Sequence, residues 1–287
     1  MNKLELWAQL SPGTIALHYA VMLIESAGIL YLLGLAFYFI ERIRPAQPQQ
    51  SFFKNDFRSE VGYPLFNAAV TTPIFTFLSL GMGIVLLEPY VPKHILEARV
   101  TTLPFALQVL FALLVTDIGI CIEHQIAHRF LWRFHRLHHS TPEVGWLTHA
   151  RVHPINALTI AVSGMLSHWV LGFSGEAVVW GATIGTFVAV WEHCNMDFAW
   201  PKPLCYLLVS PHYHRWHHSS SESAVDKNFC LVFPFLDLLM GTYYCPDEKP
   251  AATGLTDAEL RRNPVPETFA DQLVQSVSPS RRTAQDG

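Results

Sequence analysis

The chain carries little charge. Only 15% of its 287 residues are Asp, Glu, Lys or Arg and 51% are hydrophobic, whereas soluble domains contain roughly 25% charged residues. Its formal net charge of −4 lacks the basic excess that nucleic-acid binding requires, so no nucleic-acid partner is expected. The five cysteines form no CxxC pair and are odd in number. They are therefore interpreted as reduced thiols rather than as a disulfide framework.

Charge is scarcest in four long apolar stretches. Residues 61–87 contain no charged side chain, and residues 15–40, 101–122 and 155–191 each contain one. The first three stretches are long enough to cross a hydrocarbon core of about 30 Å. The fourth is too long for one span, so we expect a helical hairpin that turns near Gly172–Glu176. This pattern predicts an all-α integral membrane protein.

The basic residues between these stretches indicate an orientation. Residues 41–60 carry four Lys or Arg, residues 123–154 carry four, and residues 88–103 carry two. By the positive-inside rule the first two segments face the cytoplasm. We therefore expect a multi-pass protein of the bacterial inner membrane or the endoplasmic reticulum, with all its histidine clusters on the cytoplasmic side.

Histidine is abundant and unevenly placed. Thirteen of the fifteen histidines lie between His124 and His218, mostly in three clusters. We call these clusters histidine boxes: His124 and His128; His135, His138 and His139; His214, His217 and His218. On one continuous helix the first five would share a stripe of about 100°, and with a break each box would still present its own histidines on one face. Neutral imidazole is a common ligand of iron and zinc, so the boxes predict a metal site.

Three polar residues near the boxes have open roles. Asp117 would lie on the same helix face as the first box, further into the apolar stretch 101–122. In one interpretation, its carboxylate accepts the N–H of a ligand imidazole and fixes the tautomer of that ring. In the other, Asp117 is an ordinary polar residue near a helix end. Whether His149 or His212 also contacts a metal is open as well, since both lie close to predicted ligands.

The spacing of the boxes separates several kinds of metal chemistry. A zinc peptidase of the HExxH type needs Glu directly after the first histidine, where this chain has Gln125. A metal transporter places its ligands within the spans, whereas these boxes lie just beyond the apolar stretches. More than five histidines suggest two metal ions, and histidine ligands without thiolate suit iron that reacts with O₂. Oxidation is therefore favoured, with a membrane metal-binding or metal-transport protein as the alternative.

The motifs also resemble those of a known family. From Asp117 to Leu273 the chain is similar to the fatty acid hydroxylase / sterol desaturase superfamily of membrane di-iron oxygenases. The resemblance rests on these segments: 124–129, 131–140, 147–154, 191–195, 210–219, 226–229, 235–237, 240–243, 254–255 and 266–273. The chain departs from the family pattern where Cys230 follows Phe229 and where Phe235 and Leu236 replace a usual tryptophan. Neither departure touches a predicted ligand.

The resemblance implies about four transmembrane helices under a cytosolic helical cap that houses the metals. It implies that His153 and His193 join the eight box histidines, with no catalytic side chain beyond the ligands. The expected ligand set is His124, His128, His135, His138, His139, His153, His193, His214, His217 and His218. Residues 1–245 would form one membrane-embedded oxygenase domain, with boxes at 124–153 and 193–218. Residues 246–287 would form a polar tail with a disordered end.

The predicted reaction is O₂-dependent hydroxylation or desaturation of a membrane lipid, such as a sterol, a fatty acyl chain or an ether lipid. The cofactors would be two iron ions, with zinc as a substitute acquired on purification. Because no flavin, haem or Rossmann motif appears, electrons must come from a separate donor. The donor classes are a reductase, a cytochrome b5-like protein, a ferredoxin or a pterin.

Overall fold

Helices provide the regular structure of the protein. The computed structural model describes residues 28, 32–51, 53, 57–74 and 100–275. Within these ranges the one β-pairing is an isolated bridge between Ser219 and Thr253. The predicted all-α class is therefore confirmed for this part of the chain.

The α-helices are numbered in chain order. They are α1 (Phe57–Phe66), α2 (Phe105–Phe130), α3 (Trp132–His135), α4 (Pro154–Leu171), α5 (Gly175–His193), α6 (Pro211–His217), α7 (Phe235–Met240), α8 (Asp257–Arg262) and α9 (Phe269–Gln275). Residues 32–43 are also helical. A π-helix, Asn67–Thr71, continues α1, and short 3₁₀ turns occupy His138–Ser140, Thr148–Ala150, Leu204–Tyr206 and Glu222–Ala224.

The central helix, α2, begins after Pro104 and runs for 26 residues. Among the described residues it is the one helix long and apolar enough to cross a membrane, judged by length and composition. It continues past the predicted span to include both histidines of the first box. The helix then ends at Leu131, which has φ −117° and ψ 19°, and α3 starts a new direction. The first two boxes therefore lie on separate elements, as in the second of the two arrangements expected.

Helices α4 and α5 form a hairpin against α2. The chain turns at residues 172–174, where Gly172 has a positive φ of 66° and Ser174 caps α5 by accepting a hydrogen bond from the Ala177 N–H. Small residues allow the close packing. A Cβ atom on Gly119 of α2 would lie 2.9 Å from the Ser163 carbonyl oxygen of α4. Residues 155–191 thus return the chain to the end of α2 from which it left.

The predicted span at 15–40 lies largely outside the described residues, and the span at 61–87 is described as far as residue 74. Their described ends pack beside the boxes. Glu41 accepts hydrogen bonds from the backbone N–H groups of Trp146 and Asn195, at 3.0 and 2.8 Å. Glu60 is fully buried and accepts a bond from the Thr148 hydroxyl. Glu41, Glu60 and the boxes therefore share one end of the helical bundle.

The predicted polar tail contains two helices. A capping box formed by Thr256 and Glu259 starts α8. In α9, Phe269 packs its ring against Tyr63 of α1 with centroids 4.7 Å apart, and Gln272 accepts a hydrogen bond from the Tyr63 hydroxyl. Residues 246–275 are thus part of the folded unit, and the end of the tail, 276–287, lies outside the described residues.

Candidate metal centre

Nine of the ten predicted ligands meet in two buried groups. The five-histidine group consists of His124, His128, His135, His139 and His217. The four-histidine group consists of His138, His193, His214 and His218. Within each group one ring nitrogen of every histidine lies within 4.8 Å of the others. Helices α2, α3, α5 and α6, the turn His138–Ser140 and the C-cap of α6 supply these side chains, so the site joins segments almost a hundred residues apart.

The two groups lie side by side. His138 and His139 are neighbours in the chain but belong to different groups. The ring of His139 lies 4.6 Å, between centroids, from both His217 and His218. Two cations bound in the two groups would therefore be near neighbours.

The Nε2 atoms point inward in both groups. In the five-histidine group the Nε2 of His135 lies 3.1 Å from those of His124 and His139. In the four-histidine group the Nε2 of His193 lies 3.2 Å from that of His138 and 2.9 Å from that of His214. Three or more ring nitrogens at such distances can share one metal ion.

The outward Nδ1 atoms identify the tautomers. The Nδ1 atoms of His124, His217 and His193 lie 2.9, 2.8 and 2.7 Å from the carbonyl oxygens of Phe229, Lys227 and Ala189. A carbonyl oxygen only accepts, so each Nδ1 carries the proton and each Nε2 presents a lone pair. The Nε2 of His217 is buried without a hydrogen-bond partner. Lone pairs that face each other in a buried space repel unless a cation lies between them, so these residues fit a metal ion.

Burial keeps these rings neutral. It lowers the pKa of six histidines outside the apolar helices well below the ordinary value, and neighbouring imidazoles lower the pKa further in all six. These residues are His135, His138, His139, His214, His217 and His218. Neutral imidazole is the form that binds metals. The site is therefore in its ligand form at neutral pH.

A relay of polar side chains supports the five-histidine group. The Nδ1 of His135 donates to the Asn156 side-chain oxygen at 2.8 Å, and the Asn156 amide donates to Glu123 at 3.0 Å. The Nδ1 of His128 lies 3.0 Å from a carboxylate oxygen of Asp226. Such outer contacts fix the orientation of ligand rings.

Asp117 does not contact a ligand imidazole. Its carboxylate accepts hydrogen bonds from the backbone N–H groups of Leu231, Val232 and Phe233, at 2.7, 3.0 and 2.7 Å. Asp117 thus has neither of the two roles considered from the sequence, a contact with a ligand imidazole or a polar residue near a helix end. It is fully buried, and its hydrogen bonds fix a loop. That loop carries Lys227 and Phe229, whose carbonyl oxygens hold ligand rings.

Asp237 secures the same loop from α7. It accepts hydrogen bonds from the backbone N–H groups of Phe229 and Cys230 and from the hydroxyls of Tyr213 and Thr242. A further cluster of possible ligand atoms, Cys121, Cys230 and Asp237, lies beside it. Because the Asp237 oxygens already accept four bonds, we interpret this cluster as packing rather than a metal site.

Three histidines close to the boxes lie outside both groups. His153, a predicted ligand, has its Nε2 3.2 Å from the Leu273 carbonyl oxygen, and its Nδ1 accepts a bond from the Ile155 N–H at 3.1 Å. His149 has its Nδ1 2.7 Å from the Trp146 carbonyl oxygen, and His212 has its Nε2 2.7 Å from that of Pro246. Of these three, His153 belongs to the expected ligand set, and in this structure both its ring nitrogens lie in backbone contacts.

The supporting residues Glu123, Asn156 and Glu192 were missed by the sequence reasoning. The two glutamates could have been identified from the sequence, because each directly precedes a predicted ligand at the end of an apolar stretch. A buried acid at such a position needs a partner. Asn156 carried none, because its role depends on how α4 packs against α2.

Comparison with known proteins gives a consistent result. Residues 109–242 match the family model "Fatty acid hydroxylase", a stretch that includes all nine clustered histidines. The predicted family resemblance is thereby confirmed. No solved structure gives a significant match.

Curated relatives include lipid hydroxylases. The chain is 31% identical to the ornithine lipid hydroxylase OlsE of Rhizobium tropici over 179 residues, which cover 61% of this chain and 52% of the relative. It is 27% identical to the alkylglycerol monooxygenases of Danio rerio and Homo sapiens over 156 and 154 residues. Those matches cover 50% of this chain and 32% of each relative. The matched part therefore spans about half of the bacterial relative and a third of the vertebrate ones.

Proposed function

We propose that this chain, which carries a fatty acid hydroxylase domain, is a membrane di-iron oxygenase that uses O₂ to hydroxylate or desaturate a lipid. The observation that carries the proposal is the pair of adjacent buried groups in which imidazole lone pairs converge. The relatives' names favour hydroxylation over desaturation.

The nine clustered histidines are the proposed ligands. Iron bound in the two groups would supply the activation of O₂, and zinc would occupy the same groups as a substitute. His153 is not among the proposed ligands, because its ring nitrogens contact the backbone at Leu273 and Ile155. The chain itself holds the rings in the correct tautomer through the carbonyl oxygens of Phe229, Lys227 and Ala189 and through Asn156.

A membrane position suits a lipid substrate. Apolar side chains of α2 are exposed along its whole length: Phe105, Leu110, Ile118, Ile122, Ile126 and Phe130. In a bilayer these side chains would face lipid, while the histidines of the same helix face inward. We propose that α2, α4, α5 and the two earlier apolar stretches span the membrane, and that the boxes face the cytoplasm. An apolar substrate would then reach the site from the bilayer and electrons from an external cytoplasmic donor.

Lipid analysis under labelled oxygen tests the activity. Cells that express the chain are grown under ¹⁸O₂, and their lipids are compared with those of cells that express the His138→Ala variant. We expect one class of membrane lipid to gain a single ¹⁸O atom, or to lose two hydrogens, in the parent alone. Identical lipid profiles in the two strains, with the protein present at equal levels, would contradict the proposal.

A further inference from the structure

Helices α2, α5 and α7 carry four buried carboxylates around the histidines, and one of the four differs from the rest. Asp117, Glu123, Glu192 and Asp237 are between 0% and 6% exposed. Asp117 and Asp237 accept backbone N–H bonds, and Glu123 accepts bonds from Asn156 and Thr159. Oε2 of Glu192 has no hydrogen-bond donor. A buried carboxylate without a donor is costly, so a partner for Glu192 is expected.

The surroundings of Glu192 place that partner in the four-histidine group. Its Oε2 lies 3.4 Å from the Nδ1 of His214, and its Oε1 lies 3.6 Å from the Nδ1 of His193. The Nδ1 of His193 is already bonded to the Ala189 carbonyl oxygen. The Nδ1 of His214 is buried and has no hydrogen-bond partner. Two unsatisfied buried atoms, one able to donate and one to accept, thus face each other.

The other end of the same imidazole points at the candidate metal position. The Nε2 of His214 lies 2.9 Å from that of His193 and 3.2 Å from that of His218. A ring that binds metal through Nε2 carries its proton on Nδ1 and needs an acceptor there. The five-histidine group uses Asn156, backbone carbonyl oxygens and the solvent-exposed carboxylate of Asp226 for this purpose. In the four-histidine group a fully buried carboxylate stands at the corresponding place.

We propose that Glu192 is the positioning residue and counter-charge of the four-histidine metal centre. It accepts the Nδ1–H of His214, fixes that ring with Nε2 toward the metal and balances part of the cation's charge. The inference rests on the proposed dimetal function and deepens it, because it makes the two centres inequivalent. Glu192 touches neither substrate nor reacting atoms and is therefore not a catalytic residue.

Metal affinity tests the assignment without any measurement of turnover. Purified protein in detergent is stripped of metal and titrated with Co²⁺ or Zn²⁺ against a competing chelator. We expect the parent to bind two ions per chain. Loss of an outer hydrogen-bond partner lowers metal affinity about 10- to 100-fold. Glu192→Leu should lower the affinity for one of the two ions by this factor. Glu192→Gln, which keeps an acceptor oxygen, should lower that affinity less.

Controls separate the positioning role from general damage. Glu176→Gln changes an exposed acid in the first turn of the same helix and should leave both ions at parent affinity. Combined with His214→Ala, the change Glu192→Leu should add nothing to the loss. The double variant of Glu192→Leu with His217→Ala, which removes a ligand of the five-histidine group, should have a lower affinity for both ions. The thermal midpoint of the metal-free protein should not fall in either Glu192 variant, since a buried carboxylate is costly when no cation lies near it to balance its charge.

The outcomes for the inference and for the proposed function are distinct. Two ions bound at parent affinity in Glu192→Leu would overturn the inference and leave the dimetal proposal standing. An equal loss of affinity for both ions in Glu192→Leu would also overturn the inference. A parent protein that binds fewer than two ions would overturn the proposed function and the inference together.

Discussion

At the residue scale, three ligand rings of the centre, His124, His193 and His217, are oriented by backbone carbonyl oxygens. Clusters such as His135, His138 and His139 are visible because the ligand atoms belong to side chains at helical spacing. The acceptors that fix the tautomers are mostly backbone carbonyl oxygens, as at Lys227 and Phe229. Every residue has a carbonyl oxygen, so no sequence pattern marks the ones that are used.

His153 and His193 provide the sharpest contrast at this scale, because the family resemblance placed both among the ligands. The structure brings only His193 into a group. We expect His193→Ala to lose one of two metal ions and all activity. His153→Ala should keep both ions, because its contacts are with the backbone of Leu273 and Ile155.

Metal analysis of the two variants checks this expectation. Circular dichroism serves as the control for folding in both. Equal metal loss in His153→Ala and His193→Ala would return His153 to the ligand set.

At the element scale, the sequence predicted the helices better than their ends and their packing. The hairpin was expected to turn near Gly172–Glu176, and the chain turns at 172–174. The break at Leu131 was one of two open arrangements, since helical spacing alone suits one long helix as well as two short ones. The role of Asp117 was hidden because it depends on a loop more than a hundred residues later.

Close contact between α2 and α4 leads to a second prediction. In Gly119→Ala, the new Cβ would lie 2.9 Å from the Ser163 carbonyl oxygen, and backbone atoms must move to make room. Overpacking of this kind costs about 1–3 kcal/mol. Thermal unfolding in detergent should show a lower midpoint for this variant.

Gly175→Ala is the matched control, because a Cβ at this position meets nothing within 4 Å. Its midpoint should stay close to that of the parent. Equal midpoints for both glycine variants would show that the two helices are not packed as described.

At the scale of the whole molecule, the ligands must meet at one end of the bundle. The hairpin returns the chain to that end, and Glu41 and Glu60 contact the segments beside the boxes there. We predict that the loop near Phe52–Arg58, the boxes and the tail face the cytoplasm, and that residues 89–100 face the opposite side. The loop charges motivate the direction.

Cysteine accessibility tests this topology. Single cysteines are placed at Ser51, Lys93 and Ser276 in a background without the native thiols; the last two positions lie outside the described residues. An impermeant reagent on intact cells should label position 93 alone. Labelling of positions 51 and 276 without position 93 would show the opposite orientation. Labelling of only one of positions 51 and 276 would contradict the hairpin at 155–191, which returns the chain to the same side of the membrane.

The central claim is that nine histidines hold two iron ions in adjacent groups. It is tested most directly by iron analysis, together with Mössbauer spectroscopy, on ⁵⁷Fe-labelled protein that turns over lipid. Two iron ions per chain in two distinct environments are expected, because the groups contain five and four histidines and differ in their outer partners. An active preparation that contains one iron ion per chain, or none, would contradict it.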